Sequence, residues 1–328
     1  MANLSTNYLG LKLKNPLIVG SSGLTETLEG IQELERNGAG AVVLKSLFEE
    51  EILLELKKQK EEMLMPRTVY PEIFDFFDYD NIEDSVTKYL NVISEGKKRL
   101  EIPIIASVNC VSSGEWTVFA KRIEQAGADA LELNAFILPS DFNRSSSDNE
   151  KIYFDIIENI KKEIKLPIAL KISYYFSNLG TMIQRLSETG IDGIVLFNRF
   201  FSPDFDIDNM KVIPSNVLSG PNDLSISLRW IAIMANRVSC NLAASTGVHD
   251  GSAMIKQLLA GANAVQVVST LYKNGTDHIQ TILKELEIWM DDNNFDEIED
   301  FRGNMSQDKS RDPAAYERGQ FMKHFRAL

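Results

Sequence analysis

Eight short apolar runs separated by amphipathic stretches constrain this chain more than any other feature. They read PLIVGSS (16–22), AVVLKS (41–46), PIIASVN (103–109), ALELN (130–134), PIALKI (167–172), GIVLF (193–197), CNLAAS (240–245) and AVQVV (264–268). Runs this short and rich in β-branched residues suit strands, and their alternation with helical patterns argues for βα units around a parallel sheet. The helical patterns, such as LTETLEGIQELERNGAG and VHDGSAMIKQLLAGANA, end in Gly-Ala-Gly or Gly-Ala-Asn. A glycine just past the last turn supplies the left-handed residue that stops a helix and feeds the next strand. Three helices are predicted to stop this way, at Gly38 to Gly40, at Gly127-Ala128 and at Gly261-Ala262. Eight such units predict an α/β fold, a closed (β/α)8 TIM barrel.

A chain of 328 residues, 44% hydrophobic and 25% charged, can bury one large core, because single barrels of this kind commonly reach ~250 residues or more. We therefore expect one domain over 1–328, with the barrel at about 14–290 and a C-terminal helix or tail at 291–328. Before the first strand, LSTNYLGLKLKN alternates around Leu9-Gly10 and predicts an N-terminal β-hairpin that plugs the barrel bottom. The segment from Arg302 onward is polar with a short final helix; it either covers a surface or packs loosely. There is no internal repeat, low-complexity segment or proline-rich linker.

Lys plus Arg is 34 and Asp plus Glu is 47, a net charge of −13, which disfavours non-specific binding to nucleic acid or anionic lipid and leaves a small molecule as the expected partner. Two cysteines, Cys110 and Cys240, are too few for a disulfide framework, a four-cysteine zinc site or an iron–sulfur cluster. A reducing, cytoplasmic setting is the expectation. The N-terminus lacks the apolar core of a signal peptide, and no run approaches the ~18 apolar residues of a membrane span.

Barrel enzymes keep their sites in the loops at the C-terminal ends of the strands. Three connections here are longer than a βα loop needs, at 47–80, 135–149 and 198–222, and each follows a strand. Lys45 ends AVVLK and Lys171 lies in PIALKI; both follow runs expected to be buried, and a lysine is rarely buried without a partner. They suggest an anionic or electron-accepting ligand. Thr246-Gly247 after the seventh strand and Ser269-Thr270 after the eighth stand where such barrels usually grip phosphate. The small residues of VGSSG (19–23), Ser21, Ser22 and Gly23, allow the backbone to approach a flat ligand. Asn109, Asn134 and Asn198 each close a strand, and amides converging on one cavity can read the donors and acceptors of a heterocycle. None of the three histidines follows a strand with a carboxylate partner, so histidine acid–base chemistry is not expected. No H-x-x-x-H, G-x-S-x-G or G-x-x-x-x-G-K pattern occurs, and no metal site is expected.

In order, NPLIVGSSG, GAGAVVLKS, MPR (65–67), PIIASVN, ALELN, PIALKI, LFN, LSG (218–220), AASTG and GANAVQVVST resemble the dihydroorotate dehydrogenase family of FMN-dependent barrels, over about residues 3–290. The resemblance implies FMN across the C-terminal mouth, in a homodimeric oxidoreductase acting on a CH–CH group. Ser21, Ser22 and Gly23 would approach the isoalloxazine, with Asn109 and Asn134 beside it. Lys45 and Ser46 would contact flavin and substrate, and Lys171 would bring a cation to the electron-accepting edge of the flavin. Gly220, Thr246, Gly247, Ser269 and Thr270 would hold the phosphate. Asn134 and Asn198 match orotate-binding asparagines, and Arg67 matches an active-site arginine.

Two departures accompany the resemblance. The family carries Asn-Leu-Ser-Cys-Pro-Asn, or Ser for Cys, and that Cys or Ser removes the C5 proton of dihydroorotate. Here the segment is Asn134-Ala135-Phe136-Ile137-Leu138-Pro139-Ser140, with an aliphatic residue at either alignment of the base. Ser140, or one of Ser145 to Ser147, is the remaining hydroxyl candidate, and a hydroxyl without an activator is a poor base. The family's orotate clamp is replaced by YPEIFDFFDYDN (70–81), acidic and aromatic, whose carboxylates would repel orotate if they pointed inward. A different unsaturated substrate for the same chemistry, or a phosphate-binding barrel without redox chemistry, are the competing readings.

Overall fold

The computed structural model describes residues 2–54, 82–112, 114–135, 137–199, 202–215 and 217–317. An antiparallel hairpin, β1 (Thr6–Tyr8) and β2 (Leu11–Leu13), turns at Leu9 and Gly10. There follow β3 (Leu17–Val19), α1 (Leu28–Arg36), β4 (Ala41–Val43), β5 (Leu47–Phe48), α2 (Ile82–Arg99), β6 (Ile104–Cys110), α3 (Phe119–Ala126), β7 (Ala130–Ala135), α4 (Ser146–Glu163), β8 (Ile168–Ile172), α5 (Leu179–Ser187) and β9 (Gly193–Leu196). The chain continues through β10 (Ser202–Asp206), β11 (Lys211–Ser215), α6 (Leu224–Met234), β12 (Asn241–Ser245), α7 (Gly251–Ala260), β13 (Ala264–Val267), α8 (Ser269–Asn274) and α9 (His278–Asp292).

The strands β3, β4, β6, β7, β8, β9, β12 and β13 pair in parallel in chain order, and β13 returns to β3 with Val265 opposite Leu17, which closes the barrel. All eight predicted runs therefore become barrel strands. One of them breaks: β4 ends at Val43, and after Lys45-Ser46 the chain rejoins the sheet as β5, pairing Leu47 with Val108. The predicted helix stops hold, since Gly38, Gly127 and Gly261 have φ of 104°, 96° and 120°, a region that costs a Cβ-bearing residue about 1–2 kcal/mol. Helix starts are equally local. Thr27 accepts from the backbone of Gly30 ahead of α1, and Asp250 accepts from Ala253 ahead of α7.

Two hydrophobic layers result. Outward-facing strand residues such as Leu17, Val42, Leu133 and Leu170 pack against the helices. Inside, Tyr8, Leu9 and Leu13 of the hairpin fill the barrel bottom against Ile18, Val43, Ile105 and Val195. Ala41, Ala130, Ala169, Ala243 and Ala264 occupy the facing positions; small side chains there leave room for the plug. The backbone N–H of Leu9 is held by Asn241 Oδ1 at 2.9 Å. Burial of Leu9 and Leu13 is complete and stabilises by about 1.5–3 kcal/mol each. Two residues further along the same strands, the inward positions turn polar: Ile105 gives way to Ser107, Ala130 to Glu132, Ala169 to Lys171 and Ala264 to Gln266, all buried. The barrel is thus apolar below, polar above.

The segment beyond α9 covers the ends of α6 and α7: Gly303, Met305 and Gln307 donate backbone N–H groups to Leu258, Leu259 and Ala232 at 2.9, 2.8 and 2.9 Å. A short helix follows at Ala314–Glu317. The long connection at 198–222 contains the antiparallel hairpin β10–β11, with Pro203 opposite Pro214. Two prolines and a run of turn residues hid these strands from a propensity reading. No helix among the described residues is long and apolar enough to cross a membrane.

Candidate active site

The polar layer under the C-terminal mouth is a connected network. Lys171 Nζ donates to Gln266 Oε1 at 2.8 Å, and the Gln266 amide donates to Glu132 Oε2 at 2.5 Å. Glu132 Oε1 lies 3.5 Å from the ammonium, with side-chain exposures of 11% for Lys171 and 1% for Glu132. A buried cation requires such a counter-charge. Lys171 and Gln266 also line a cavity of about 200 Å³ that opens to the mouth between Ser21, Asn198, Gly247 and Ser269. An ammonium has three donors; Gln266 and Glu132 engage it from below, leaving donor capacity toward the cavity.

Sheet register brings the predicted amides to the same height. Asn109 is opposite Asn134, and Asn134 is opposite Lys171. Among the described residues, Asn134 Oδ1 and Asn198 Nδ2 are buried without a hydrogen-bond partner. An orphaned buried polar atom costs about 1–3 kcal/mol, and one of the two, on Asn198, belongs to a residue that lines the cavity. Hydroxyls form a ladder on the other side: Ser21 Oγ and Ser46 Oγ are 3.0 Å apart, Ser46 Oγ and Ser107 Oγ 2.8 Å. Ser22 donates its hydroxyl to the Gly20 carbonyl at 3.3 Å and opens the turn Gly23–Thr25. A Cβ on Gly23 would stand 2.9 Å from the Tyr272 hydroxyl.

Lys45 does not meet the expectation of burial. Its strand breaks at Val43, so its side chain is 48% exposed and pairs with Glu26 at 2.6 Å, a solvated contact of small energetic weight. Arg67 lies outside the described residues.

At the other end of the cavity, Thr246 and Gly247 have φ of 79° and 80°. A β-branched residue in that region stores strain, and Gly247 has no alternative, because a Cβ there would sit 2.1 Å from the Leu224 backbone nitrogen. Ser219 N donates to Ser269 Oγ at 2.9 Å, and Lys273 Nζ donates to the Ser219 carbonyl at 2.7 Å. Burial, with Lys273 nearby, holds the His249 imidazole below its usual value. Thr270 is fully buried, and its hydroxyl donates to the His249 carbonyl at 2.9 Å rather than into the cavity. The Gly220 N–H is likewise engaged, by Asp223 Oδ2 at 2.9 Å.

Among the described residues, the loop after β7 supplies no base to this cavity. Ile137 is buried, Leu138 is 52% exposed, and Ser140 is exposed, its backbone N–H turned back to the Leu138 carbonyl at 2.8 Å. Ser145 caps α4, accepting from Asp148 N at 3.2 Å and donating to its carboxylate at 2.5 Å. Ser140 is therefore not brought together with Lys171, Asn198 and Gly247.

Sequence reasoning missed Ser107, Glu132, Arg199 and Gln266. Glu132 and Gln266 were visible as polar letters inside ALELN and AVQVV. Arg199, directly after Asn198, lines the cavity and donates to the Val217 carbonyl at 2.6 Å.

Comparison with known proteins decides the family. The profile for dihydroorotate dehydrogenase matches residues 79–290, from α2 through α9. The chain belongs to the dihydroorotate dehydrogenase family. The oxidoreductase class and the FMN cofactor expected from the resemblance follow from that membership. Among similar proteins, the dihydroorotate dehydrogenase B (NAD(+)) catalytic subunit of Thermoplasma volcanium is 28% identical over 317 residues, covering 92% of this chain and 98% of its own. The proteins of the same name from Methanocaldococcus jannaschii and Endomicrobium trichonymphae are 26% and 28% identical, covering 89% and 87% of this chain and 95% and 94% of their own. The sequence match thus runs along nearly the whole length of these relatives.

Proposed function

We propose that this chain, as one barrel domain over 1–328, is an FMN-dependent oxidoreductase that moves a hydride between the flavin and a small, pyrimidine-like ring compound. The buried Lys171, braced by Gln266 and Glu132 beneath a cavity that Asn198 lines with an unpartnered amide nitrogen, carries the reading. The residues present fit FMN. The cavity pairs the Lys171 cation and Ser21 with the tight Thr246-Gly247 turn, Ser219 and Ser269, which suits a flat heteroaromatic head and a phosphate tail. FMN, when bound, supplies the two-electron acceptor that no side chain provides.

The chain's own residues would divide the remaining tasks. Lys171 presents positive charge at the cavity floor, and Glu132 and Gln266 keep it in place. Asn134 offers an acceptor and Asn198 a donor to a ring substrate, and Lys45 would join them once released from Glu26. Arg67 retains its expected substrate role as a proposal. Ser219, Thr246, Gly247 and Ser269 would hold the phosphate, largely through backbone.

One observation favours a substrate other than dihydroorotate: the loop after β7 offers Ile137 and Leu138 where the family has its base, and Ser140 is exposed. A positioned general base contributes about 10²–10⁴-fold. Under anaerobic conditions the FMN-loaded protein is expected to keep its visible flavin band on adding dihydroorotate. Rapid bleaching would restore dihydroorotate as substrate. A protein that takes up no FMN would bring down the flavin reading itself.

We also propose a cytoplasmic homodimer built on the β10–β11 hairpin. Phe205, Ile207, Met210 and Val212 stand exposed on it, and its strands pair only with each other among the described residues. A free two-stranded ribbon with apolar side chains is an adhesive edge. Light scattering is expected to give the mass of two chains for the wild type and one for the variant Ile207→Asp, Met210→Asp. A monomeric wild type would remove the dimer.

A further inference from the structure

Beside the cavity over Lys171 lies a second and larger one, of about 380 Å³, that the hydride-transfer reading leaves unused. One wall is the loop after β7, with Ile137 and Pro139, and the first turns of α4, with Ser146; the other is the turn after β8, from Tyr174 to Ser177. Tyr174 and Tyr175 are the partition. They also line a third cavity, of about 210 Å³, that contains Asn198, Arg199 and Thr246 and so runs into the Lys171 cavity.

The partition is a built aromatic surface. The two rings lie 4.8 Å apart at 34°, and Tyr174 meets Phe197 edge-on at 5.7 Å. Tyr174 and Tyr175 are hydrogen-bonded through their side chains, and Tyr153 is buried at the back of the larger cavity. Even so, Tyr174 and Tyr175 keep 39% and 41% of their surface exposed, which leaves ring area available to a ligand. Among the described lining residues none is Lys, Arg or His, and the carboxylate, Glu150, is paired with Arg185 at 3.6 Å. An anionic group would find no cation among these lining residues, whereas an uncharged ring would find aromatic faces to stack on and Ser146, Asn149 and Ser177 at its edges.

We propose that this cavity is a substrate subsite for an uncharged aryl group, so that the unsaturated carbonyl compound acted on at the flavin carries an aryl substituent beyond its reacting end. Its carbonyl end reaches Asn198 while the ring crosses the tyrosine partition. The inference rests on the hydride-transfer reading for the reactive end and on the larger cavity for the ring. Loss of the family's base belongs to the same change, since Ile137 and Pro139 now serve as wall.

The test compares two neutral enones that differ by the ring, benzylideneacetone and ethylideneacetone, by calorimetric titration of the FMN-loaded protein. Benzylideneacetone is expected to bind on the order of tenfold more tightly. The preference is expected to vanish in Tyr175→Ala, which removes the stacking face, and in Ser177→Trp, which fills the cavity, while both variants keep their FMN. Equal affinity of the two enones, or a preference that survives both substitutions, would overturn the proposal. A protein without FMN would sink the flavin reading instead, and the same titration on that apoprotein would still decide the subsite.

Discussion

Lys171→Ala is expected to cost about 3–5 kcal/mol of folding stability, measured by urea denaturation, because removing one partner of a buried pair strands the other. The stranded group is Glu132, at 1% side-chain exposure, with Gln266 as its remaining hydrogen-bond partner. Adding Glu132→Gln should recover much of the loss, because a neutral amide needs no counter-charge. The FMN reading adds a second readout that stability alone would not move. Without the cation at the cavity floor, the midpoint potential of bound FMN should fall by about 30 mV or more, a tenfold change in a two-electron equilibrium. A variant as stable as wild type would refute the buried pair, and an unchanged potential would remove Lys171 from the cofactor site.

Gly247→Ala is expected to destabilise by about 2–6 kcal/mol, combining left-handed backbone strain with overpacking. The Cβ would lie 2.1 Å from Leu224 N, and backbone cannot rotate aside as a flexible side chain can. Gly10→Ala isolates the strain: φ there is 72°, yet a Cβ would meet nothing within 4 Å, so about 1–2 kcal/mol is expected. Similar losses in the two variants would show that the contact between the β12 loop and α6 yields easily. Because Gly247 lines the Lys171 cavity, FMN retention should fall in Gly247→Ala and persist in Gly10→Ala.

Both expectations depend on contacts between residues far apart in the chain, and there the limits of reading the sequence become clear. What the sequence determined by itself was local or periodic. Strand runs, helix stops at Gly38, Gly127 and Gly261, and the plug around Leu9-Gly10 follow from side-chain period and the freedom of glycine, which neighbouring residues decide. Their order and count were enough to indicate the barrel and the placement of Asn134, Lys171, Asn198 and Gly247 at one end. The resemblance then supplied the chemistry.

Tertiary structure decided which polar atoms meet. Glu132 and Gln266 lie 134 residues apart, and only barrel closure through β13 and β3 brings them under Lys171. A break after β4 turned Lys45 outward to Glu26, although its strand looked as buried as that of Lys171. Thr270 seemed available in the sequence, but its hydroxyl was taken by the His249 carbonyl. The separation has a physical cause: backbone conformation is set largely by residues within a turn of one another, whereas burial and hydrogen-bond partnership are set by whatever the closed sheet places across the barrel.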